Sequence, residues 1–145
     1  MKKRDGCSFP PEDYGAAPMI VNIDRYAKCN PYFRRTLWTG NSLQVTLMCI
    51  PVCGEIGLEM HRDFDQFIRI ESGYALVKMG SGAACLPYQK RANQDYAVVI
   101  PAGTWHNIIN IGKTPLKLYS IYAPPQHPYG TLHPTKDTAD AAEHH

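Results

Sequence analysis

Between residues 57 and 73 the sequence reads GLEMHRDFDQFIRIESG, which sets a carboxylate at Glu59, an imidazole at His61 and an amide at Gln66 among apolar strand-forming residues. Further along, DYAVVIPAGTWHNIIN brings a second imidazole, His106, directly after a Pro-Gly turn. Carboxylate and imidazole are donors to divalent first-row metals, and an amide oxygen is a weaker neutral donor. The same residues can also simply face solvent or hydrogen-bond within the fold, which is the commoner use of an isolated polar residue in a strand. Which applies depends on the elements that carry them.

In a strand, residues two apart share a face, so Glu59 and His61 point one way while Leu58 and Met60 point the other. By the same parity His106, Ile108 and Asn110 share a face, and Asn110 offers an amide deeper along it. The segment RDFD separates His61 from Gln66, and parity does not carry across a turn, so Asp65 competes with Gln66 for an inward position. Asp63 and Asp65 read naturally as exposed turn residues.

From residue 37 onward the chain is a series of short β runs punctuated by Gly and Pro: LW, SLQVTLMCI, GLEMH, QFIRI, YALVKM, YAVVI, WHNIINI and LKLYSIYA. Helical periodicity is nearly absent, and this pattern predicts an all-β sandwich or barrel. Gly73 in ESGY and the Pro101/Gly103 pair in PAGT supply two tight hairpins. The stretch GSGAACLPYQKRANQD reads as a longer, solvent-facing loop. Residues 1–36 form an N-terminal arm, residues 37–123 the barrel, and residues 124–145 a C-terminal tail whose TKDTADAAEHH ending has the composition of a short helix. His144 and His145 are native or a cloning remnant, and no chemistry is assigned to them.

With 145 residues and 44% hydrophobic content, the chain has material for one core. Its formal net charge of +2 comes from interspersed signs, and the one basic run, MKKR, is too short for a nucleic-acid surface, so no nucleic-acid partner is expected. The start MKKRDGCSFPPEDYG lacks the apolar stretch of a signal peptide and no later run approaches a membrane span, which leads us to expect a cytoplasmic protein without membrane contact. Cys7, Cys29, Cys49, Cys53 and Cys85 are odd in number and scattered, so reduced thiols are expected. The Cys49/Cys53 pair reads as small apolar residues at a strand end.

Taken together, the two polar segments resemble the paired motifs of the cupin superfamily. The first family motif is Gly, five residues, His-x-His, three or four residues, Glu, six residues, Gly. Counting back from Gly73 puts Gln66 at its Glu position, His61 at the second His and Glu59 at the first. The second motif, Gly, five residues, Pro-x-Gly, two residues, His, three residues, Asn, is matched by Pro101, Gly103, His106 and Asn110, with Asp95 in place of the leading Gly. The resemblance spans about residues 40 to 123 and implies a double-stranded β-helix, or jelly-roll barrel. It also implies one divalent transition metal per chain (Fe, Mn, Zn or Ni), held by Glu59, His61, Gln66 and His106.

This chain departs from the family's usual three His and one Glu, but it retains two imidazoles and one carboxylate, the donors of a facial triad. The resemblance implies a metal-dependent protein acting on a small oxygenated molecule, as an isomerase or lyase of sugar-like or hydroxy-ketone substrates. Small single-domain cupins are often likened loosely to mannose-6-phosphate isomerase. An iron-dependent dioxygenase and a non-catalytic, metal-stabilised binding protein are the alternatives, and no catalytic residue is assigned. Neither a phosphate cradle nor a basic cluster stands near the motifs; Arg69 falls on the face opposite Gln66. A homodimer is expected, because Tyr26, Tyr32, Phe33, Leu37 and Trp38 make the arm too apolar to stand free and LKLYSIYA is apolar on both faces; the alternative is that the arm folds back on its own barrel.

Overall fold

The structure, a computed structural model, describes residue 7 and residues 9–143; MKKR, His144 and His145 lie outside the described residues. Nine strands and two helices follow one another as α1 (Ile23–Cys29), β1 (Arg34–Thr39), β2 (Gln44–Ile50), β3 (Gln66–Ser72), β4 (Ala75–Gly80), β5 (Tyr88–Ala92), β6 (Ala97–Ile100), β7 (Trp105–Asn110), β8 (Leu116–Tyr122), β9 (Leu132–His133) and α2 (Lys136–Glu143). They form a six-stranded sheet in the order β6-β3-β8-β2-β1-β9 and a three-stranded sheet β5-β4-β7. The strand pairings are antiparallel throughout. This is the all-β, double-sheet jelly roll expected from the sequence.

Period-2 alternation puts one set of apolar side chains between the sheets. Met48, Ile50, Ile68, Ile70, Ile108 and Leu118 are among those that meet there, none more than 2% exposed. Tight turns form where Gly was expected to allow them, with φ +101° at Gly73 and +81° at Gly103, but they are not the expected hairpins: each carries the chain from one sheet to the other, β3 to β4 and β6 to β7. Asp95, which stands at a Gly position of the family motif, has φ +72°. A short polar side chain is among the few that tolerate this left-handed backbone, and the Asp95 carboxylate also accepts from Arg69 Nη2 at 2.9 Å. Arg69 is thus a surface cation, as its parity indicated.

Two elements differ from expectation. YQKRA, read as part of a loop, is strand β5, paired with β4 from Ala75↔Ala92 to Met79↔Tyr88. Its first four residues are exposed and only Ala92 is buried, so this edge strand has no apolar alternation to betray it. GLEMH, read as a strand, is an extended segment that pairs at one point only, where Glu59 and His106 exchange backbone hydrogen bonds of 3.0 and 2.9 Å. Gly57, with φ +111°, interrupts any longer ladder.

The arm is also used differently. α1 lies against the outer face of the large sheet, and Ala27, Leu37, Leu47 and Tyr119 are buried there with Tyr14, Tyr26 and Ile121 packed against them. β2 and β8 are therefore covered on both faces, which is why they read as nearly continuous apolar runs. Phe33 joins the main core, and Trp38 Nε1 donates to Ala17 O at 2.7 Å. The apolar surface for which a neighbouring chain was expected is covered by the arm of the same chain. β1 begins at Arg34, three residues before the expected barrel boundary.

The thiols are corrected as well: Cys7 and Cys29 form a disulfide with Cα atoms 5.0 Å apart. Spacing along the chain carries no information about this proximity. Folding the arm back on α1 creates it, and the Phe9 ring, stacked at 4.1 Å on Tyr26, marks the same closure. Cys49, Cys53 and Cys85 remain thiols. No helix among the described residues is long and apolar enough to cross a membrane.

α1 is latched to β3 by a carboxyl pair. Burial and the hydrogen bond to Asp24 push the Glu71 carboxyl up to about 7, against the pull of Arg69, whose Nε lies 3.0 Å from Glu71 Oε1. The hydrogen bond from Glu71 holds Asp24 below its ordinary range, helped by Lys28. Glu71 binds its proton more tightly folded than unfolded, so its contribution is full below about 4.5 and is lost as pH rises through about 7. The parent should therefore lose about 2 kcal/mol of stability between pH 5 and pH 8 from this group. Glu71→Gln keeps a donor to Asp24 without the titration, so the stability of the parent relative to this variant in urea unfolding should fall by about 2 kcal/mol over the same interval, whatever other titrating groups contribute to both. An equal pH dependence in parent and variant would assign the effect elsewhere.

Candidate metal centre

Glu59, His61 and His106 converge at one end of the barrel, and Gln66 stands on β3 beside Tyr122, whose ring meets His61. The backbone exchange between Glu59 and His106 fixes the first contact, and Gly103 N donates to His61 O at 2.8 Å, so the PAGT turn also holds the second segment. Leu58 is 44% exposed, and Glu59 and His61 share the opposite, inward face, as parity required. His61 Nε2 lies 3.5 Å from Glu59 Oε1 and His106 Nε2 lies 3.7 Å from the same oxygen. One donor atom from each of Glu59, His61 and His106 falls within 4.8 Å of the others, a grouping that could hold a metal ion.

Each ring is oriented by a neighbour. His106 Nδ1 stands 3.0 Å from Thr104 O; a carbonyl only accepts, so Nδ1 donates there and Nε2 is the nitrogen turned toward Glu59. His61 stacks on Phe64 at 4.6 Å and meets the edge of Tyr122 at 6.4 Å. Burial alone would raise the Glu59 carboxyl, but His106 and His61 outweigh it and hold the group far below the carboxylate range. Glu59 is a carboxylate at any ordinary pH.

The competition between Gln66 and Asp65 is resolved by burial. Gln66 opens β3 between Tyr122 and Ile100 and is 4% exposed. Its Nε2 donates to Ser120 Oγ at 2.8 Å, while its Oε1 is buried without a hydrogen-bond partner. Asp65 lies at the surface and accepts from Ala102 N at 2.9 Å. His61 Nε2 and His106 Nε2 share the condition of Gln66 Oε1: each is buried without a hydrogen bond. Buried polar atoms of this kind are rare in folded proteins, and the two imidazole nitrogens grouped with the Glu59 carboxylate are donors that fit a divalent cation.

Asn110 is corrected. Its Nδ2 donates to Ile50 O, Pro51 O and Thr114 O at 3.0, 3.2 and 3.0 Å, and its Oδ1 accepts from Gly112 N at 2.9 Å. The amide is consumed in tying two turns together and offers nothing to a cavity. Ile108 is 1% exposed and belongs to the core.

Sequence reasoning missed the C-terminal contribution. Gln44, 0% exposed, accepts from Gln126 N and His127 N, both at 3.0 Å, and donates to His127 O at 2.8 Å and Thr39 Oγ1 at 2.9 Å. This clamp lays the His127 ring 5.4 Å from Tyr122 and 6.5 Å from His133. His133 Nδ1 in turn lies 3.4 Å from Arg34 Nη1. A cavity of about 440 Å³ between α2 and the start of β1 reaches Glu59 and includes Arg34 in its wall. The one signal in the sequence was HPYGTLH, two His in a tail that otherwise reads as a connector.

The cupin-domain family profile matches residues 46–122. The uncharacterized protein YrkC of Bacillus subtilis (strain 168) is 57% identical over 132 residues, covering 91% of this chain and 71% of its own. The uncharacterized protein L612 of Acanthamoeba polyphaga mimivirus is 40% identical over 114 residues, 78% of this chain and 69% of its own. The crystal structure of BH2720 from Bacillus halodurans superimposes with a TM-score of 0.89 at 57% identity, covering 90% of this chain and 98% of that one.

The Gln44 clamp generates a prediction. Gln44→Ala leaves the backbone groups of Gln126 and His127 without partners and opens a cavity, which should cost about 2–4 kcal/mol by urea unfolding. Hydrogen exchange at the His127 amide should accelerate well beyond that of β3 in the same variant. An unchanged His127 amide would mean that other contacts hold the segment.

Proposed function

The chain belongs to the cupin family, and from that premise we propose that Glu59, His61, Gln66 and His106 hold one divalent transition metal and that the site acts on a small oxygenated molecule. The observation that carries this reading is the pair of buried, unpartnered nitrogens, His61 Nε2 and His106 Nε2, grouped with the half-buried Glu59 carboxylate, with Gln66 Oε1 a further buried, unpartnered oxygen on β3. In a metal-free protein each of these atoms would represent about 1–3 kcal/mol of uncompensated desolvation. Glu59, His61 and His106, with Gln66, would hold a divalent cation through these lone pairs, and its charge would more than offset that of Glu59.

When bound, such a metal supplies Lewis-acid polarisation of a carbonyl or hydroxyl oxygen. The chain's own residues do the rest. Thr104 fixes the His106 tautomer, Phe64 and Tyr122 fix the His61 ring, and Ser120 turns the Gln66 amide so that its oxygen faces inward. Phe64 and Tyr122, 5.9 Å apart, give the site an apolar wall that excludes water from one side. We read the activity as that of an isomerase or lyase on a hydroxy-ketone or related substrate. A second reading, an iron-dependent dioxygenase, is favoured by the donor set itself, because two imidazoles and one carboxylate are the facial arrangement of non-haem iron enzymes.

Elemental analysis of anaerobically prepared protein should find one transition metal per chain. His106→Ala removes one of two imidazoles and should lower metal affinity by more than the ~10–100-fold typical of orienting partners. Gln66→Ala should be milder, since water replaces a neutral amide oxygen. Full metal occupancy in His106→Ala would overturn the assignment. Incubation with a panel of hydroxy-ketones under nitrogen and under air separates the two readings: turnover under nitrogen supports the isomerase or lyase, and a strict oxygen requirement supports the dioxygenase.

A further inference from the structure

We propose that His127 is a ligand-binding residue of this centre, donating a hydrogen bond to an anionic oxygen of a small carboxylate or enolate held there. The inference rests on the metal-site reading above and names the charge class of its ligand. No family motif reaches residue 127, which lies beyond the matched residues 46–122; the argument comes from the tail.

Placement is the first ground. Both backbone groups of His127 are bonded to the buried Gln44 amide, and that amide has its oxygen and its nitrogen fully engaged. A chain segment fixed this firmly orients its side chain. The ring packs edge-on against Tyr122 at 5.4 Å, and Tyr122 packs edge-on against His61 at 6.4 Å. Tyr122 is also the strand partner of Gln66. His127 therefore stands one aromatic ring away from the proposed ligands, on the C-terminal side of the site.

Availability is the second. Among the described residues no hydrogen bond reaches either ring nitrogen of His127, although its backbone is fully bonded. Burial, with the Arg34 guanidinium and His133 adding to it, pushes the imidazole down to about 3. The ring is then neutral, and a neutral imidazole always keeps one N–H to donate and one nitrogen to accept. His133 is likewise held below its ordinary value by burial and Arg34, and its Nδ1 accepts from Arg34.

Charge is the third. The groups that act on His127 from the packed elements are Arg34 on β1, His133 on β9, and Glu59 and His61 of the centre. A divalent cation overbalances the one carboxylate among them, and Arg34 adds a further positive charge. The potential where the His127 ring points is positive, so an anionic oxygen is favoured there over a neutral one.

The test uses the full-length protein loaded with cobalt(II), whose visible spectrum reports changes at the metal, titrated with glycolate and with its neutral isostere glycolamide. The parent should take one cobalt per chain and bind glycolate at least tenfold more tightly than glycolamide. His127→Ala should keep parent cobalt content and melting temperature while losing about tenfold in glycolate affinity, as expected for one hydrogen bond to a charged group. His127→Asn, which retains an N–H near the position of Nδ1, should recover part of that loss. Equal glycolate affinity in parent and His127→Ala, or a parent without preference for glycolate, overturns this inference alone. A parent that takes up no cobalt overturns the metal-site reading and this inference with it.

Discussion

A carboxylate cannot be buried alone. Removing Glu59 from water costs several kcal/mol unless positive or proton-donating groups meet it, and much of the barrel's end is arranged to meet that requirement. The two imidazoles hold Glu59 ionised against its burial, and the backbone exchange with His106 keeps the carboxylate from withdrawing toward solvent. The solution is incomplete within the protein. Both Nε2 atoms remain without hydrogen bonds, at 3.5 and 3.7 Å from Glu59 Oε1. Those separations are too long for good hydrogen bonds and suit donors grouped about a common centre.

The turns serve this constraint more directly than the strands do. Gly103, in its left-handed conformation, lets the PAGT turn bond the His61 carbonyl while Thr104 directs the His106 proton away from Glu59. Asp65 caps the same turn at Ala102, which explains why a carboxylate next to Gln66 takes no part in the centre. A residue two positions before a ligand thus sets that ligand's tautomer, an outer contact that governs the inner one.

Both ends of the chain belong to the same domain as the barrel. Asp13, buried beside β1, accepts from Thr39 N at 2.9 Å and from Gly130 N at 3.1 Å, so one side chain joins the N-terminal arm to the C-terminal segment. Gln44 continues that seam to His127. The consequence is that the surroundings of Tyr122, whose ring meets both His61 and His127, are built by residues remote from His61 in sequence and depend on how the arms are packed.

Strand parity was legible from the residues themselves: Glu59 with His61, and His106 with Ile108, fall on inward faces because successive strand residues alternate. The paired motifs made the double-sheet fold and the grouping of Glu59, His61 and His106 legible, and the spacing of Gln66 from Gly73 gave its buried position on β3. Asp95 shows how a substitution can preserve a backbone requirement, since its side chain tolerates the φ that the family meets with Gly. Other features had no local signal. β5 is an exposed edge without alternation, the Cys7–Cys29 bond and the covered outer sheet face depend on where the arm folds, and Asn110 is spent on turns that meet only in three dimensions. The contribution of His127 is of the same kind: its position is set by hydrogen bonds to Gln44, and no periodicity along a chain encodes a contact between residues so far apart.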